Sequence, residues 1–300
     1  MPTPDARPAD RPSNRPLRVA AIVCAAGSGT RFGGSGEGKL DADLHGKPVL
    51  IRAVEALAWH PCVGEILVAG PADPVAMRAF RARHERALRE LGASLCAGGV
   101  QERYQTVQNA LARLLARGEG RPCDAVLVHD AARPCTPAAV VDAVIAALGE
   151  HGAVVPAVPL ADTLRRCRPG PMDPHLDAGL DGPLSGLVAG GPSATGAPIG
   201  PSLGTVERTH LYACQTPQGF GVGLLERAYA QRDLRSTDDA ELVERLGEPV
   251  VLVAGDRRNI KITHRPDLDL ARLFWPTLNT PGRPRAGECG SGGRGTGASA

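Results

Sequence analysis

The sequence predicts an α/β fold: a mainly parallel sheet with helices on both faces and a protruding arm. Two observations carry the sheet. Apolar strand-like runs alternate with helix-patterned segments from residue 17 onward, which is the signature of strand–helix–strand units covered on both sides. Polar and glycine-bearing clusters follow the apolar runs directly, and ligands of such sheets bind outside the carboxyl ends of the strands.

The elements follow in order. Leu17 to Ala25 reads as a buried strand ending in a glycine loop, and Pro48 opens a helix with Val49, Leu50, Val54 and Leu57 on one face. Glu65–Ala69 is a short strand, Pro74–Leu91 a charged amphipathic helix and Glu102–Leu115 another helix. Ala125–His129 is a strand, and Thr136 and Pro137 read as N-cap and first helical residue ahead of Ala138–Leu148. Ala153–Val158, Val250–Ala254 and Ile260–Thr263 complete the strands. Thr237 reads as the cap of a short acidic helix. Three segments lack such patterning: residues 1–16, 276–300 and an internal run, 169–204, that holds 9 Gly and 7 Pro. They are expected to be tails and a flexible insertion, because such composition buries too little apolar surface to offset its ordering entropy. One nucleotide-handling domain over 17–275 is expected, with the arm at about 160–212.

Composition removes whole classes of function. With 300 residues and 43% apolar content the chain supports a large core. A formal net charge of +2 and nine aromatics give neither a nucleic-acid field nor a base-stacking platform. The apolar run Val19–Ala26 is less than half a membrane span, so neither a membrane nor a nucleic-acid partner is expected. Eight cysteines stand singly with no zinc spacing, as in a reduced cytoplasmic protein.

The loop from Ala25 to Lys39 combines glycines, which let backbone N–H groups approach phosphate oxygens, with Arg31 and Lys39. It is not a Walker A loop, because Leu40 follows Lys39, and its glycines at 27, 29 and 33 miss the dinucleotide spacing by one residue. Asp130 and Arg133 follow the next long strand. The aspartate suits Mg²⁺ and the arginine a phosphate, although a local Asp–Arg pair closing the loop uses the same residues. His129 reads either as a base or as a packed core histidine. Lys261, alternating with isoleucines, reads on pattern alone as the solvent face of an edge strand.

Taken together, AAGSGTRFG (25–33), Lys39, the GG…QERYQTVQNAL block (98–111), VLVHDAARP (126–134), ADTLRR (161–166), RTHLYACQTPQGF (208–220), STDDAELVE (236–244) and GDRRNIKIT (255–263) resemble the 2-C-methyl-D-erythritol 4-phosphate cytidylyltransferases. The resemblance covers about 18–273 with every piece in the family's order. It implies a Rossmann-like nucleotidyltransferase fold and transfer of a cytidylyl group from CTP to the acceptor's phosphate, releasing pyrophosphate, with Mg²⁺ or another divalent cation held mainly by the CTP phosphates; Asp130 is the one side chain whose place after a strand suits an added ligand to it. Arg31 and Lys39 match the basic pair at the α-phosphate. Arg208 and Lys261 match the residues that position the acceptor phosphate, which reverses the pattern-only reading of Lys261. Ala25, Ala26, Gly27, Gly29, Gly99 and Thr106 match nucleotide-binding positions, and Asp130, Arg133, Thr163, Thr216 and Thr237 match acceptor contacts. The family's arm between Thr163 and Arg208 clasps a second subunit, so a homodimer is expected.

A phosphate monoester acceptor is a nucleophile near neutral pH, so catalysis reduces to in-line positioning and charge neutralisation. Departures from the family pattern are Gly38 and Leu40 flanking Lys39, Cys24 before the loop, Thr106 for a frequent serine, and the length of the arm. Two rival readings are a cytidylyltransferase for another polyol phosphate such as ribitol 5-phosphate and a non-catalytic nucleotide binder. The four retained cations, Arg31, Lys39, Arg208 and Lys261, oppose the second.

Overall fold

A computed structural model describes residues 16–27, 32, 38–116, 123–168 and 200–278. The expectations for 1–15, for 169–199, for 279–300 and for Gly29 and Arg31 fall outside these residues.

The main sheet has eight strands. Its parallel half is β1 (Val19–Cys24) flanked by β4 (Val63–Gly70) and β6 (Ala125–Asp130), with β5 (Ala93–Ala97) beyond β4. Both sides of β1 are then buried, which is why every residue from Val19 to Val23 is apolar. Successive side chains point to opposite faces. Val19, Ala21 and Val23 join one core with helices α1 (Val49–Ala58), α2 (Pro74–Glu90) and α4 (Ala138–Ala147). Ala20 and Ile22 join a second with α3 (Arg103–Leu115), α5 (Val222–Tyr229) and α6 (Asp239–Glu244). A third cluster closes the far side around α7 (Arg265–Leu278), with Leu44, Val49, Cys135, Ile262 and Trp275 buried together.

The other half of the mainly parallel sheet holds its antiparallel members. Strand β7 (Ala153–Pro159) has β12 (Val251–Ala254) parallel to it on one edge, and two short antiparallel strands on the other: β10 (Tyr212–Cys214) and β11 (Gln218–Gly221). Strand β11 also runs antiparallel to β6. Sequence patterning missed β10 and β11 because each has at most four residues, too few to show a period. Gly219 has no room for a Cβ, which would lie 2.7 Å from side-chain atoms of Val144 on α4 and of Leu148, its C-cap. The close approach of α4 to β11 therefore requires glycine there.

Between α1 and the loop before it, β2 (Asp43–Leu44) and β3 (Lys47–Pro48) form a small ladder. The arm is a separate antiparallel pair, β8 (Leu164–Cys167) with β9 (Ser202–Val206). Strand β9 therefore claims the end of the segment expected to be an insertion, and α7 likewise runs to Leu278 through the start of the expected C-terminal tail.

Three local expectations are corrected. The cap of α6 is Asp238, whose carboxylate accepts from Glu241 N at 3.0 Å, while Thr237 donates its N–H and hydroxyl to the Glu241 carboxylate. Thr136 does not cap α4: its hydroxyl faces Arg133 O and Asn259 Oδ1 at 3.1 and 2.8 Å, and Pro137 takes the cap position. Ile260–Thr263 is not a strand; it is held by Ile262 N donating to Ala132 O at 2.8 Å, with Ile262 buried and Lys261 exposed.

Candidate active site

The expected residues gather chiefly at the carboxyl ends of β1 and β6. After β1, Ala25 N donates to Ala69 O at 2.8 Å, which leads Ala25, Ala26 and Gly27 out over the sheet edge. The loop after β5 comes alongside: a Cβ on Gly98 would stand 2.6 Å from the Ala26 Cβ. Gly99 is equally confined, since a Cβ there would lie 2.8 Å from Thr106 N and 2.9 Å from Glu102 O. Gly99 N donates to the Thr106 hydroxyl at 3.0 Å. A capping box between Glu102 and Gln105 starts α3 just beyond. Ala25, Ala26, Gly27, Gly99 and Thr106 thus share one backbone-lined corner suited to an anionic ligand.

The second half is a charge cluster on Asp130, the last residue of β6. Its carboxylate takes Lys261 Nζ at 2.9 Å and Arg103 Nε at 3.3 Å, and Arg133 Nε stands 3.7 Å away. Arg103 also donates to Asp239 Oδ2 at 2.7 Å, and Tyr229 OH to the other Asp239 oxygen at 2.5 Å. Burial alone would raise the Asp130 carboxyl; Arg103, Lys261 and Arg133 overcome it and hold the group far below the ordinary carboxylate range. Asp130 therefore stays ionised at neutral pH. Three cations against two carboxylates leave one positive charge in surplus, the sign an anionic substrate needs.

Thr216 reaches this cluster through sheet register. Gln218 opposes Val128 in the β11–β6 ladder, so Thr216 falls opposite Asp130. Its hydroxyl accepts from Asp130 N at 3.0 Å and lies 3.0 Å from His129 Nδ1. The Thr216–Pro217 peptide is cis. His129 Nε2 sits 3.2 Å from Arg133 O, so both ring nitrogens are engaged within the core. Burial pushes the imidazole down to about 4. These contacts favour the packed reading of His129, as a residue that ties the Arg133 loop to Thr216. Arg133 itself donates to Asn259 O at 2.7 Å, which binds the Lys261 segment into the same cluster.

The remaining expected residues stand apart. Lys39 lies on the turn that leads out of the first loop, and Thr237 sits one residue before the Asp238 cap. Thr163 and Arg208 are exposed at the base of the arm, where the Arg208 guanidinium donates to Ala161 O. Sequence patterning missed Arg103, which starts α3 beside the glycine corner and reaches Asp130. Its signal was only its place in the QERYQTVQNAL block. Burial pushes the Cys24 thiol up to about 12 against the pull of Arg103, which disfavours the thiolate.

The residues do not fit a metal held by the protein. Among the described residues no three acidic, histidine or cysteine side chains group as ligands, and the Asp130 carboxylate faces Lys261 and Arg103. A hard dication needs several oxygen donors, and only Asp130 was expected to supply one.

A mostly parallel sheet that sets a glycine-lined corner beside a cationic cluster at its strand ends defines a nucleotidyltransferase. Residues 19–172 and 199–275 match the IspD family model, 2-C-methyl-D-erythritol 4-phosphate cytidylyltransferase, and the chain belongs to this family. The match breaks within the Pro/Gly-rich run that the sequence sets apart. A protein of that description from Frankia casuarinae is 39% identical over 274 residues, covering 90% of this chain and 86% of the relative. One from Streptomyces avermitilis is 38% identical over 263 residues, with coverage of 87% and 93%. The crystal structure of a 4-diphosphocytidyl-2C-methyl-D-erythritol synthase matches with a TM-score of 0.64 at 28% identity, over 86% of this chain and 99% of that one. The crystal structure of the Thermus thermophilus 2-C-methyl-D-erythritol 4-phosphate cytidylyltransferase matches with a TM-score of 0.59 at 29% identity, over 87% and 98%.

Proposed function

We propose that the chain transfers the cytidylyl group of CTP to the 4-phosphate of 2-C-methyl-D-erythritol, giving 4-diphosphocytidyl-2-C-methyl-D-erythritol and pyrophosphate in isoprenoid precursor synthesis. The observation that carries this reading is the Asp130 cluster, in which Lys261 and Arg133 are oriented by a carboxylate beside the glycine corner. One acceptor phosphate oxygen forms a bond to the α-phosphorus of CTP as the bond to the β-phosphate oxygen breaks, and pyrophosphate leaves. No proton needs to be removed, which agrees with a site whose one buried histidine is neutral and committed to packing.

In this reading the Ala25–Gly27 and Gly99–Thr106 corner receives the nucleotide, and Lys39 and Arg31 neutralise charge gathering at the α-phosphorus. Asp130 holds Lys261 Nζ in place until the acceptor phosphate competes for it. Asp130, Arg133, Thr216 and Thr237 contact the acceptor. Mg²⁺, or another divalent cation, arrives with the triphosphate as its counter-ion.

A homodimer formed through the arm belongs to the same reading. Strands β8 and β9 contain no buried residue, and apolar surface is presented by Leu203 on β9 and by Leu211 and Tyr212 where the chain enters β10. Arg208 and Thr163 would then serve the partner's acceptor. A cytoplasmic location accords with the seven described cysteines, all free thiols. Among the described residues no helix is long and apolar enough to cross a membrane.

The test is pyrophosphate release from CTP and Mg²⁺ with methylerythritol 4-phosphate or ribitol 5-phosphate as acceptor. Release with the first alone is expected. Release with ribitol 5-phosphate alone would keep the mechanism and replace the acceptor, and silence of folded protein with both would make the chain a non-catalytic nucleotide binder.

A further inference from the structure

Lys39 sits on a turn that is tied down from two helices. On the α1 side, Leu50 N donates to Leu40 O at 3.1 Å and Val49 N to Ala42 O at 3.0 Å. Within the turn, Asp41 N and Ala42 N donate to Gly38 O at 2.9 and 3.1 Å. The Asp41 side chain then turns away toward α2. There its Oδ1 meets His84 Nε2 at 2.7 Å and Arg83 Nε at 3.0 Å.

His84 is only 2% exposed and stacks edge-on against Phe80 at 4.8 Å. Its Nδ1 is buried without a hydrogen-bond partner. That arrangement suits the neutral tautomer with its proton on Nε2: the proton goes to Asp41 and the lone pair of Nδ1 stays in the apolar interior. A buried imidazole with only one satisfied nitrogen is costly for packing alone, since an apolar side chain of similar size fills such a space without orphaning a donor or acceptor. Its retained contact is the one to Asp41. Gly38 complements it, because a Cβ there would stand 3.1 Å from Asp41 Oδ2.

We propose that Asp41, held by His84 and Arg83, is a brace that positions Lys39 for the transfer step, so that His84 acts on the rate through Lys39 without touching substrate. The proposal rests on Lys39 acting at the α-phosphorus, as in the function proposed above. Where a neighbouring proline would stiffen the lysine turn through its own ring, this chain has Gly38, and the rigidity comes from a side-chain contact across 43 residues.

The test is a double-mutant cycle of His84→Leu and Lys39→Ala, read as single-turnover pyrophosphate release on the full chain. His84→Leu is expected to lower the rate constant about tenfold, with KM for CTP within about twofold, the pattern of an interaction realised in the transition state. In the Lys39→Ala background the same substitution should change the residual rate by less than about twofold, because there is no lysine left to position. His84→Gln, whose amide N–H can reach the place of Nε2, should restore most of the rate. Asp41→Ala, on the partly exposed turn, carries the same cycle where His84→Leu fails to fold. Equal losses in both backgrounds, or no loss from either brace substitution, would overturn the brace while leaving the catalytic reading intact. Full activity in Lys39→Ala alone would overturn the role of Lys39 itself, and the brace with it.

Discussion

The Asp130 cluster and the arm hold the expected functional residues in opposite ways. Asp130 with Arg133, Thr216, and Lys261 come from three separate segments yet are tied to one another by a ladder register, three cations and the hydrogen bonds of His129 and Asn259. Thr163 and Arg208 come from one hairpin base and lie exposed, with the Arg208 guanidinium bonded locally to Ala161 O. The cluster is assembled within the chain. The hairpin presents its residues outward, and the proposed dimer would bring them to another subunit's site. A group oriented by neighbours pays its ordering cost during folding, whereas a group on an exposed hairpin defers that cost to assembly.

The largest effect is expected at Asp130. Asp130→Ala removes the acceptor of Lys261 and leaves Arg133 buried without a carboxylate, so a loss of about 3–5 kcal/mol in unfolding free energy is expected along with the activity. Urea unfolding checks this, and unchanged stability would mean that the cluster is not the organised unit described above.

Next in size is a subunit-mixing experiment. Lys261→Ala and Arg208→Ala should each fold normally and lose about 10²–10³ in turnover. If Arg208 serves its partner's site, mixing the two inactive variants after dissociation should restore about one quarter of wild-type activity, since half of random two-fold dimers then contain one intact site. No recovery from mixed dimers would place both residues in the same chain's site and erase the contrast.

The smallest effect concerns the interior of the cluster. The His129 imidazole is held down at about 4 by burial, below the ordinary value near 6.5. The unfolded chain therefore binds a proton that the folded chain refuses across this window. Stability should fall by about 3 kcal/mol as pH drops from 6.5 to 4, with no further loss from this group below that. His129→Asn should flatten this part of the pH profile of the unfolding midpoint, with little change in the arm's behaviour. An equally steep profile in His129→Asn would assign the acid sensitivity elsewhere.

Much of the site was legible because its residues follow strands whose apolar runs are long. Val19–Cys24 and Ala125–Asp130 announce themselves by burial on both faces, and the loop after each one is then the place to search for chemistry. Thr216 was not legible from pattern, because its position depends on a register between β11 and β6 that only the packed sheet defines. Arg103 was hidden for a related reason: an arginine in the first turn of an amphipathic helix is ordinary until Asp130 and Asp239 arrive from distant segments. Lys261 was misread by pattern as an edge-strand residue because alternation with isoleucine describes any half-buried extended segment.

By itself the sequence determined the alternation of strands and helices, the loop ends at which the candidate site gathers, the family, and the set of cations proposed to handle phosphate. Those properties depend on local periodicity and residue type, which a chain carries before it folds. The tertiary structure alone decided which cations share Asp130, why His129 is neutral, that Asp238 and not Thr237 caps its helix, and that Asp41 reaches His84. Each of these depends on distance and desolvation between segments far apart in the chain, and neither exists until the core has closed.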